Sequence, residues 1–270
     1  MRFLSSHLEV QKGFEPIFQG SSLEELWSHP DLQTFKSKKD REILTLELDS
    51  NTFFVKRYHG PGVGFLHYVL RGFRDRYGPE NEWQKANFLK KLGIRAVEPV
   101  VFGIERRYGI IRRALVVTRK MEGSRVEDLL REKTDLDQKT RLVKKLAAFA
   151  ARFHSLGLSH QDFYLCHLFW SPKSAEIGLI DLQRIRYFRG KNVQPRLSWV
   201  VKDLAQLDYS ARNILGSEEY DYLKDTFVSV YEGYLPLIAE PRIIRKIQRK
   251  VSRIARHDRK LQARSSEEIT

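Results

Sequence analysis

The chain has 270 residues, 41% of them hydrophobic, which is enough to build one large core or two smaller ones. Its 48 lysines and arginines outnumber 34 acidic residues, and the net charge of +14 favours polyanionic partners. The single cysteine, Cys166, excludes an intramolecular disulfide and is typical of a reducing compartment. There is neither an apolar N-terminal signal segment nor a run of ~20 apolar residues for a membrane span. Composition therefore predicts a cytosolic protein, soluble or peripheral.

The first half of the chain has the pattern of an antiparallel sheet. After an irregular start, β-branched and aromatic residues predict strands at 32–36, 43–48 and 52–58. The short polar connection Asp49-Ser50-Asn51 joins the last two as a hairpin. A basic stretch that contains several glycines follows, and it predicts a loop around a short helix at 65–73.

A helix at 80–92 that ends at Gly93 interrupts this sheet. Two further strands are expected at 96–103 and 114–118, before a connector that begins at Met121.

The second half is predominantly helical. Apolar residues at helical spacing predict a helix from about Asp137 to Gly157, and residues 167–170 and 177–181 predict a small hairpin. This order of elements predicts an α+β, bilobal protein-kinase-like fold. Its N-lobe would span residues 1–120, and its mainly helical C-lobe would span 121–270.

A lysine and a glutamate in the first half are candidates for holding nucleotide phosphates. Lys56 ends the hydrophobic run Phe53-Phe54-Val55, as the phosphate-binding lysine of kinases does on its strand. Glu82 shares a helical stripe with Ala86 and Leu89, so its carboxylate would face inward and need a cation. Lys56 would be that cation. Alternatively, Lys56 is an ordinary strand-end lysine and Glu82 only favours the helix dipole.

The segment His160-Gln161-Asp162 corresponds to the His-Arg-Asp of the kinase catalytic loop. Asp162 would accept the proton of the substrate hydroxyl, and His160 would support the loop. Asp181, in Ile180-Asp181-Leu182, would bind magnesium from the end of the second hairpin strand. Each match is weak by itself, but the two together on one loop-hairpin frame predict an ATP- and Mg²⁺-dependent phosphotransferase.

His167 stands where kinases have an asparagine that binds the metal. Magnesium prefers oxygen ligands to imidazole. His167 is therefore a candidate to bind the metal, a phosphate or Asp181, or only to hydrogen-bond the backbone.

These residues resemble the lipopolysaccharide kinases of the heptose kinase and Kdo kinase type. Asp162-Phe163-Tyr164-Leu165-Cys166-His167 is similar to their Asp-x-Tyr-x-Cys-His loop, and the resemblance covers about residues 35–215. It implies a kinase-like fold, ATP, Mg²⁺ and a lipid-linked core oligosaccharide as acceptor, at the inner face of the cytoplasmic membrane. It also implies that Asp203 braces the catalytic loop. Heptose and Kdo both remain open as the acceptor sugar, and the oligomeric state is not predicted.

Two departures affect the site. Gln161 replaces the usual arginine, which argues against control by a phosphorylated activation loop. The turn 37–41 lacks the glycines that cover phosphates in protein kinases, so charge from Lys38 or its basic neighbours would replace backbone amides. Met121, in the connector, is expected near the nucleotide.

Basic residues suggest where anionic groups would bind. Arg184 and Arg186 follow the metal aspartate and are expected to contact the acceptor. Residues 242–264 contain ten basic residues and one acidic residue, with Ile243 and Val251 on one apolar face. This helix could lie on an anionic membrane or pack that face on the domain.

Three other functions are alternatives for this sequence. A dinucleotide-binding oxidoreductase would require the Gly60-Pro61-Gly62-Val63-Gly64 stretch to follow a parallel strand, which the hairpin contradicts. A protein Ser/Thr/Tyr kinase would use the same catalytic groups, but no Ala-Pro-Glu element follows Asp181. A non-catalytic kinase-fold module at a membrane or nucleic acid is the third alternative. Nucleic acid is disfavoured because no RNA-binding or zinc-finger motif accompanies the charge.

Overall fold

The computed structural model describes residues 4–38, 41–60, 70, 78–187 and 196–267. The chain divides into two compact units, Met1–Met121 and Glu122–Thr270. The predicted helix at 65–73 and residues 62–64 lie outside the described residues.

The first unit contains a six-stranded antiparallel sheet in the order β1-β5-β6-β4-β3-β2. Its strands are β1 (Leu4–Val10), β2 (Gln33–Lys38), β3 (Arg41–Leu48), β4 (Asn51–Tyr58), β5 (Pro99–Arg107) and β6 (Ile110–Arg119). The described helices are α1 (Glu15–Phe18), α2 (Leu23–Trp27) and α3 (Pro79–Lys91). The predicted hairpin is confirmed, since Leu48 pairs with Asn51 at its tight turn.

The expectation of an irregular N-terminus is wrong. β1 pairs along β5, and α2 begins with a capping box in which Ser22 and Glu25 satisfy each other's backbone amides. β1 lies at the sheet edge and is largely exposed, so it lacks the strong alternation that marks a half-buried strand.

β5 and β6 both extend beyond the predicted strands because they form one hairpin. Tyr108 and Gly109 connect them, with φ angles of 52° and 79°. Two successive positive φ values are characteristic of a tight hairpin turn. The charged residues on either side concealed this turn in the sequence.

Alternating residues of the sheet divide the first core between two faces. Leu115 and Val117 pack with Phe53 in the cluster that includes residues of α1 and α2. Ala114 and Val116 pack in the cluster that contains Trp83 of α3. The sheet therefore fixes β4 and α3 relative to each other.

The second unit is mainly helical, as predicted. Its helices are α4 (Val126–Arg131), α5 (Leu136–Ser155), α6 (Leu197–Arg212), α7 (Ser217–Tyr234) and α8 (Pro241–Glu267). Its strands are β7 (Ser124–Arg125), β8 (Leu158–Ser159), β9 (Leu168–Ser171), β10 (Glu176–Leu179) and β11 (Arg186–Tyr187). β9 and β10 form the predicted hairpin.

The apolar faces of the long helices are used in packing. Leu142, Leu146 and Phe153 of α5 are buried, as their spacing predicts. Ile243 and Val251 of α8 are buried as well, and α8 packs against α6. The apolar stripe of the basic helix is therefore a packing face. Within the described residues, no helix combines the length and apolarity needed to cross a bilayer.

Gly123, just before β7, generates a prediction about stability. It has a φ of +104°, and an added Cβ would lie 2.1 Å from the Trp170 carbonyl oxygen. Since backbone atoms cannot move aside cheaply, Gly123→Ala should lower the free energy of unfolding by about 3 kcal/mol or more. Thermal and urea unfolding would measure the loss.

Gly109→Ala is the matched control, because Gly109 also has a positive φ but open space at its Cβ position. We expect it to cost only about 1–2 kcal/mol. Equal losses in the two variants would contradict the close packing of Gly123 on β9.

Candidate active site

The segment 160–167 connects β8 to β9 and ends in a 3₁₀ turn at Leu165–His167. Phe163, which is fully buried, stacks on Phe153 of α5 with ring centroids 6.1 Å apart. An apolar side chain thus anchors the middle of the loop, while its immediate neighbours Asp162 and Tyr164 are partly exposed.

A single carboxylate, that of Asp203 on α6, organises the start of this loop. Asp203 is fully buried and accepts hydrogen bonds from the backbone amides of His160 (2.7 Å) and Gln161 (2.8 Å). It also accepts from the Ser159 hydroxyl (2.8 Å) and from His154 Nε2 (3.3 Å). Several directed donors on one charged acceptor determine the loop's position closely.

Gln161 has a left-handed backbone conformation, with φ of 65°, and both its carbonyl group and its side chain are hydrogen-bonded. Its carbonyl oxygen accepts hydrogen bonds from Lys202 Nζ at 2.6 Å and Gln206 Nε2 at 3.3 Å. Its own side chain is buried and donates to the Ser159 hydroxyl at 2.5 Å. The departure from arginine is thus accommodated by a neutral, inward hydrogen bond.

Two further residues of α6 support the loop, and sequence reasoning missed them. Gln206 accepts from the Phe163 amide at 3.0 Å, and the Ser210 hydroxyl accepts from the Leu165 amide at 3.2 Å. With Asp203 they follow a spacing of three and then four residues, which places all three on one helix face. That polar stripe on a largely apolar helix was the available signal.

His160 joins the loop to the hairpin. Its Nε2 donates to the Ile180 carbonyl at 2.9 Å, so Nδ1 is the unprotonated nitrogen. Complete burial lowers the pKa of His160, which keeps the ring neutral at physiological pH. The supporting position predicted for His160 agrees with this contact.

Asp162, His167 and Asp181 converge, with one potential ligand atom from each lying within 4.8 Å of the others. All three are partly exposed. The expectation that Asp181 closes a strand is wrong, because β10 ends at Leu179 and Asp181 has a left-handed φ of 56°. Asp181 therefore lies in a bend after β10 and is not part of the strand.

The tautomer of His167 follows from its contact with the loop. Nδ1 lies 2.7 Å from the Asp162 carbonyl oxygen, which can only accept, so Nδ1 carries a proton. Burial lowers the pKa of His167, but hydrogen bonds to Cys166 and to that carbonyl, together with the Asp181 carboxylate, raise it to about 9. Only Nε2 could bind a metal, after losing its proton.

The donor set at this cluster partly fits magnesium. Carboxylate oxygens from Asp162 and Asp181 are the hard ligands that Mg²⁺ prefers. An imidazole is a poor magnesium ligand, and a protonated one is better suited to a phosphate oxygen. Asp181 fits the metal best, and His167 fits it least.

The two arginines expected near the acceptor take different positions. Arg184 Nη1 lies 3.7 Å from Asp162 Oδ1, and the Arg184 side chain is 57% exposed. Arg186 lies in β11, opposite Ser159 of β8, and its guanidinium covers the Trp199 ring. Arg184 is therefore the arginine beside the candidate base.

The first unit contains the predicted ion pair. Lys56 Nζ lies 2.5 Å from Glu82 Oε1, and the Glu82 side chain is only 1% exposed. The Tyr58 hydroxyl donates to the other carboxylate oxygen at 3.1 Å. Burial and the Glu82 charge raise the pKa of Tyr58 well above its ordinary value, so it remains a donor.

The remaining predicted nucleotide contacts are less defined. Lys38 is the last residue of β2, and its side chain lies outside the described part of the chain. Met121 is the last residue of the first unit and is half-buried. Their roles stay predictions.

Two features of this chain are typical of kinase-like phosphotransferases. One is the lysine–glutamate pair beside the antiparallel sheet. The other is the pair of carboxylates on the loop-hairpin frame of the helical unit. The sequence model of the lipopolysaccharide kinase (Kdo/WaaP) family matches residues 26–231. The chain belongs to this family, and the predicted family and enzyme class are confirmed.

Curated relatives agree with this assignment. The chain is 25% identical over 236 residues to lipopolysaccharide core heptose(I) kinase WaaP of Escherichia coli, covering 83% of this chain and 86% of that protein. The K12 strain protein of that name is 27% identical over 217 residues, covering 76% and 79%. The Pseudomonas aeruginosa protein of that name is 25% identical over 219 residues, covering 77% and 80%.

A solved structure of WaaP in complex with acyl carrier protein has the same fold. The TM-score is 0.67 at 21% identity, and the match covers 92% of this chain and 98% of that one. The predicted kinase-like fold is therefore confirmed.

Asp203 provides a test of how the loop is held. In Asp203→Asn, an amide group must replace one oxygen that now faces backbone amides, so a buried donor loses its acceptor. We expect the free energy of unfolding to fall by about 2–4 kcal/mol, measured by urea denaturation.

Asp221→Asn removes an exposed carboxylate from α7 and serves as the control, with an expected change within about 0.5 kcal/mol. If both variants unfolded at the same urea concentration, Asp203 would not be the anchor of the loop.

Proposed function

We propose that this chain transfers the γ-phosphoryl group of ATP to a heptose hydroxyl of the lipopolysaccharide inner core. The observation that carries the proposal is the convergence of Asp162 and Asp181 on one loop-hairpin frame. Heptose is favoured over Kdo because three curated relatives, each matched over at least three quarters of this chain, are named as heptose(I) kinases.

Asp162 acts as the base. The sugar hydroxyl oxygen forms a bond to the γ-phosphorus, the bond from that phosphorus to ADP breaks, and the hydroxyl proton passes to Asp162. The Asp162 side chain is 22% exposed, so an acceptor can reach it, while its backbone carbonyl oxygen accepts a hydrogen bond from His167 Nδ1 at 2.7 Å. Arg184, 3.7 Å from Asp162, would bind an anionic group of the acceptor.

Asp181 would hold Mg²⁺, which would neutralise charge on the phosphates. His167 offers a further potential ligand atom within 4.8 Å of one on Asp181. In its protonated form, His167 would instead donate from Nε2 to a phosphate oxygen, because its Nδ1 proton is already bound to the Asp162 carbonyl.

Lys56 binds the ATP phosphates from β4. Glu82 supports this role because a buried carboxylate 2.5 Å from the ammonium group restricts where the lysine can point. Tyr58 occupies the second carboxylate oxygen, which leaves Lys56 as the cation on the first. Lys38 and Met121 are expected to contribute further ATP contacts.

An acyl carrier protein is a candidate partner, since the WaaP structure with the matching fold was solved with one. The second unit contains an apolar cavity of about 120 Å³, whose lining includes Leu146, Leu207, Phe227 and Ile247. An acyl chain is the chemical group that such a lining would accept. The lipid-linked acceptor and the basic charge favour a peripheral location at the cytoplasmic face of the inner membrane.

Asp162→Asn tests the catalytic assignment. The amide cannot take up a proton, so kcat for phosphorylation of purified inner-core lipopolysaccharide should fall on the order of 1,000-fold, with little change in ATP binding. Asp181→Asn should raise the magnesium concentration needed for activity. Asp225→Asn, an exposed change on α7, should leave kcat unchanged.

Steady-state kinetics with magnesium titration would measure all three variants, and circular dichroism would verify their folding. A folded Asp162→Asn variant with full kcat would refute the role of Asp162 as the base.

A further inference from the structure

The C-terminal helix α8 presents a row of cations on one side. Its members, hereafter the basic stripe, are Arg242, Lys246, Arg249, Arg253, Arg256 and Lys260. They follow one another at alternating spacings of four and three residues, which aligns side chains along a helix. Over 18 residues the row is roughly 27 Å long.

The opposite side of α8 is already used. Ile243 and Val251 are 1% and 8% exposed, because this side packs on the second unit. Asp258, the one acidic residue between 242 and 264, accepts a hydrogen bond from the Tyr209 hydroxyl of α6 at 2.5 Å. Packing therefore orients the helix, and all six residues of the basic stripe are exposed.

Among the described residues, the stripe is almost unpaired. Arg242 has Glu240 at 3.6 Å, whereas none of the other five has a carboxylate within 4.0 Å. Like charges three and four residues apart weaken a helix. The repulsion along the stripe therefore opposes helix stability, and the packing of the opposite side holds α8 in place without neutralising these charges. An external polyanion would neutralise them.

We propose that the basic stripe docks α8 lengthwise on the anionic phospholipid headgroups of a bilayer. The inference deepens the proposed peripheral location and rests on it. A straight, evenly spaced row of cations complements a flat layer of phosphates. Ile243 and Val251 on the apolar side face the second unit and not solvent, so the helix binds at headgroup level without inserting into the acyl region.

The same surface is less suited to other polyanions. Residues 242–263 contain no phenylalanine, tyrosine or tryptophan on which single-stranded bases could stack. A protein partner would need an apolar or aromatic anchor near the centre of the contact. The stripe contains none, and its centre is Arg249 and Arg253.

Vesicle co-sedimentation of the full chain tests the proposal. The probe is phosphatidylcholine vesicles with or without about one quarter phosphatidylglycerol, at low and high salt. The wild-type chain should bind only the anionic vesicles and dissociate as salt rises, because screening weakens headgroup attraction.

The stripe variant Arg249→Gln/Arg253→Gln/Arg256→Gln should bind on the order of 100-fold more weakly, given about fivefold for each cation. The matched control is Arg141→Gln/Lys144→Gln/Lys145→Gln, which removes the same charge from exposed positions of α5 and should bind nearly as the wild type does. If both variants bound the vesicles equally weakly, net charge alone would explain binding, and the proposal would be overturned.

Activity on detergent-solubilised acceptor separates this inference from the proposed function. The stripe variant should retain the wild-type rate there, since none of its changes lies at Asp162 or Asp181. A wild-type chain that binds anionic vesicles but phosphorylates no acceptor would refute the kinase assignment and support the stripe. A wild-type chain that binds RNA or acyl carrier protein but no vesicles would overturn the stripe's assignment to lipid.

Discussion

The candidate catalytic loop at residues 160–167 depends on one buried carboxylate. Asp203 has no exposure to solvent and collects two backbone amides, a serine hydroxyl and an imidazole. A buried charge is expensive unless it is paired or fully hydrogen-bonded. Because most of these donors lie at the start of the loop, the hydrogen bonds that satisfy the Asp203 carboxylate also fix the position of Asp162. A positive φ at Gln161 is tolerated for the same reason.

A comparable constraint acts in the first unit. Glu82 is buried between Lys56 and Tyr58, so the sheet and α3 together fix the direction of one ammonium group. Removing either partner of such a pair leaves an uncompensated charge in the core. In both units, a buried acid restricts a group whose proposed chemistry takes place at the surface. Each of these candidate catalytic groups is thus restricted in position by a buried carboxylate.

The sequence predicted those parts of the site that have a fixed residue spacing. Strand position and helix periodicity select Lys56 and Glu82, the kinase arrangement pairs them, and the loop-hairpin frame predicts Asp162 and Asp181. Gln206 was missed because its place on one helix face with Asp203 and Ser210 does not by itself show which segment packs against that face. Its role exists only because α6 packs beneath the loop, and that contact between distant segments is set by tertiary structure.

Backbone conformation was also beyond the sequence patterns. The turn at Asp181 was read as a strand end because hydrophobic residues precede it, yet its φ of 56° bends the chain away from β10. The N-terminal strand and helices were missed because their signals, an edge strand and one capping box, are weak. Strong hydrophobic periodicity identified the long helices, whereas the short elements form through contacts with neighbouring segments that leave no periodic pattern in the sequence.

The central claim is that this chain phosphorylates a heptose of the lipopolysaccharide inner core. Mass spectrometry of lipopolysaccharide from a strain that lacks the gene, with and without a restored copy, tests it most directly. We predict the loss of one phosphate from an inner-core heptose and its return with the restored gene. An unchanged phosphate pattern, or a phosphate lost from Kdo instead, would contradict the account.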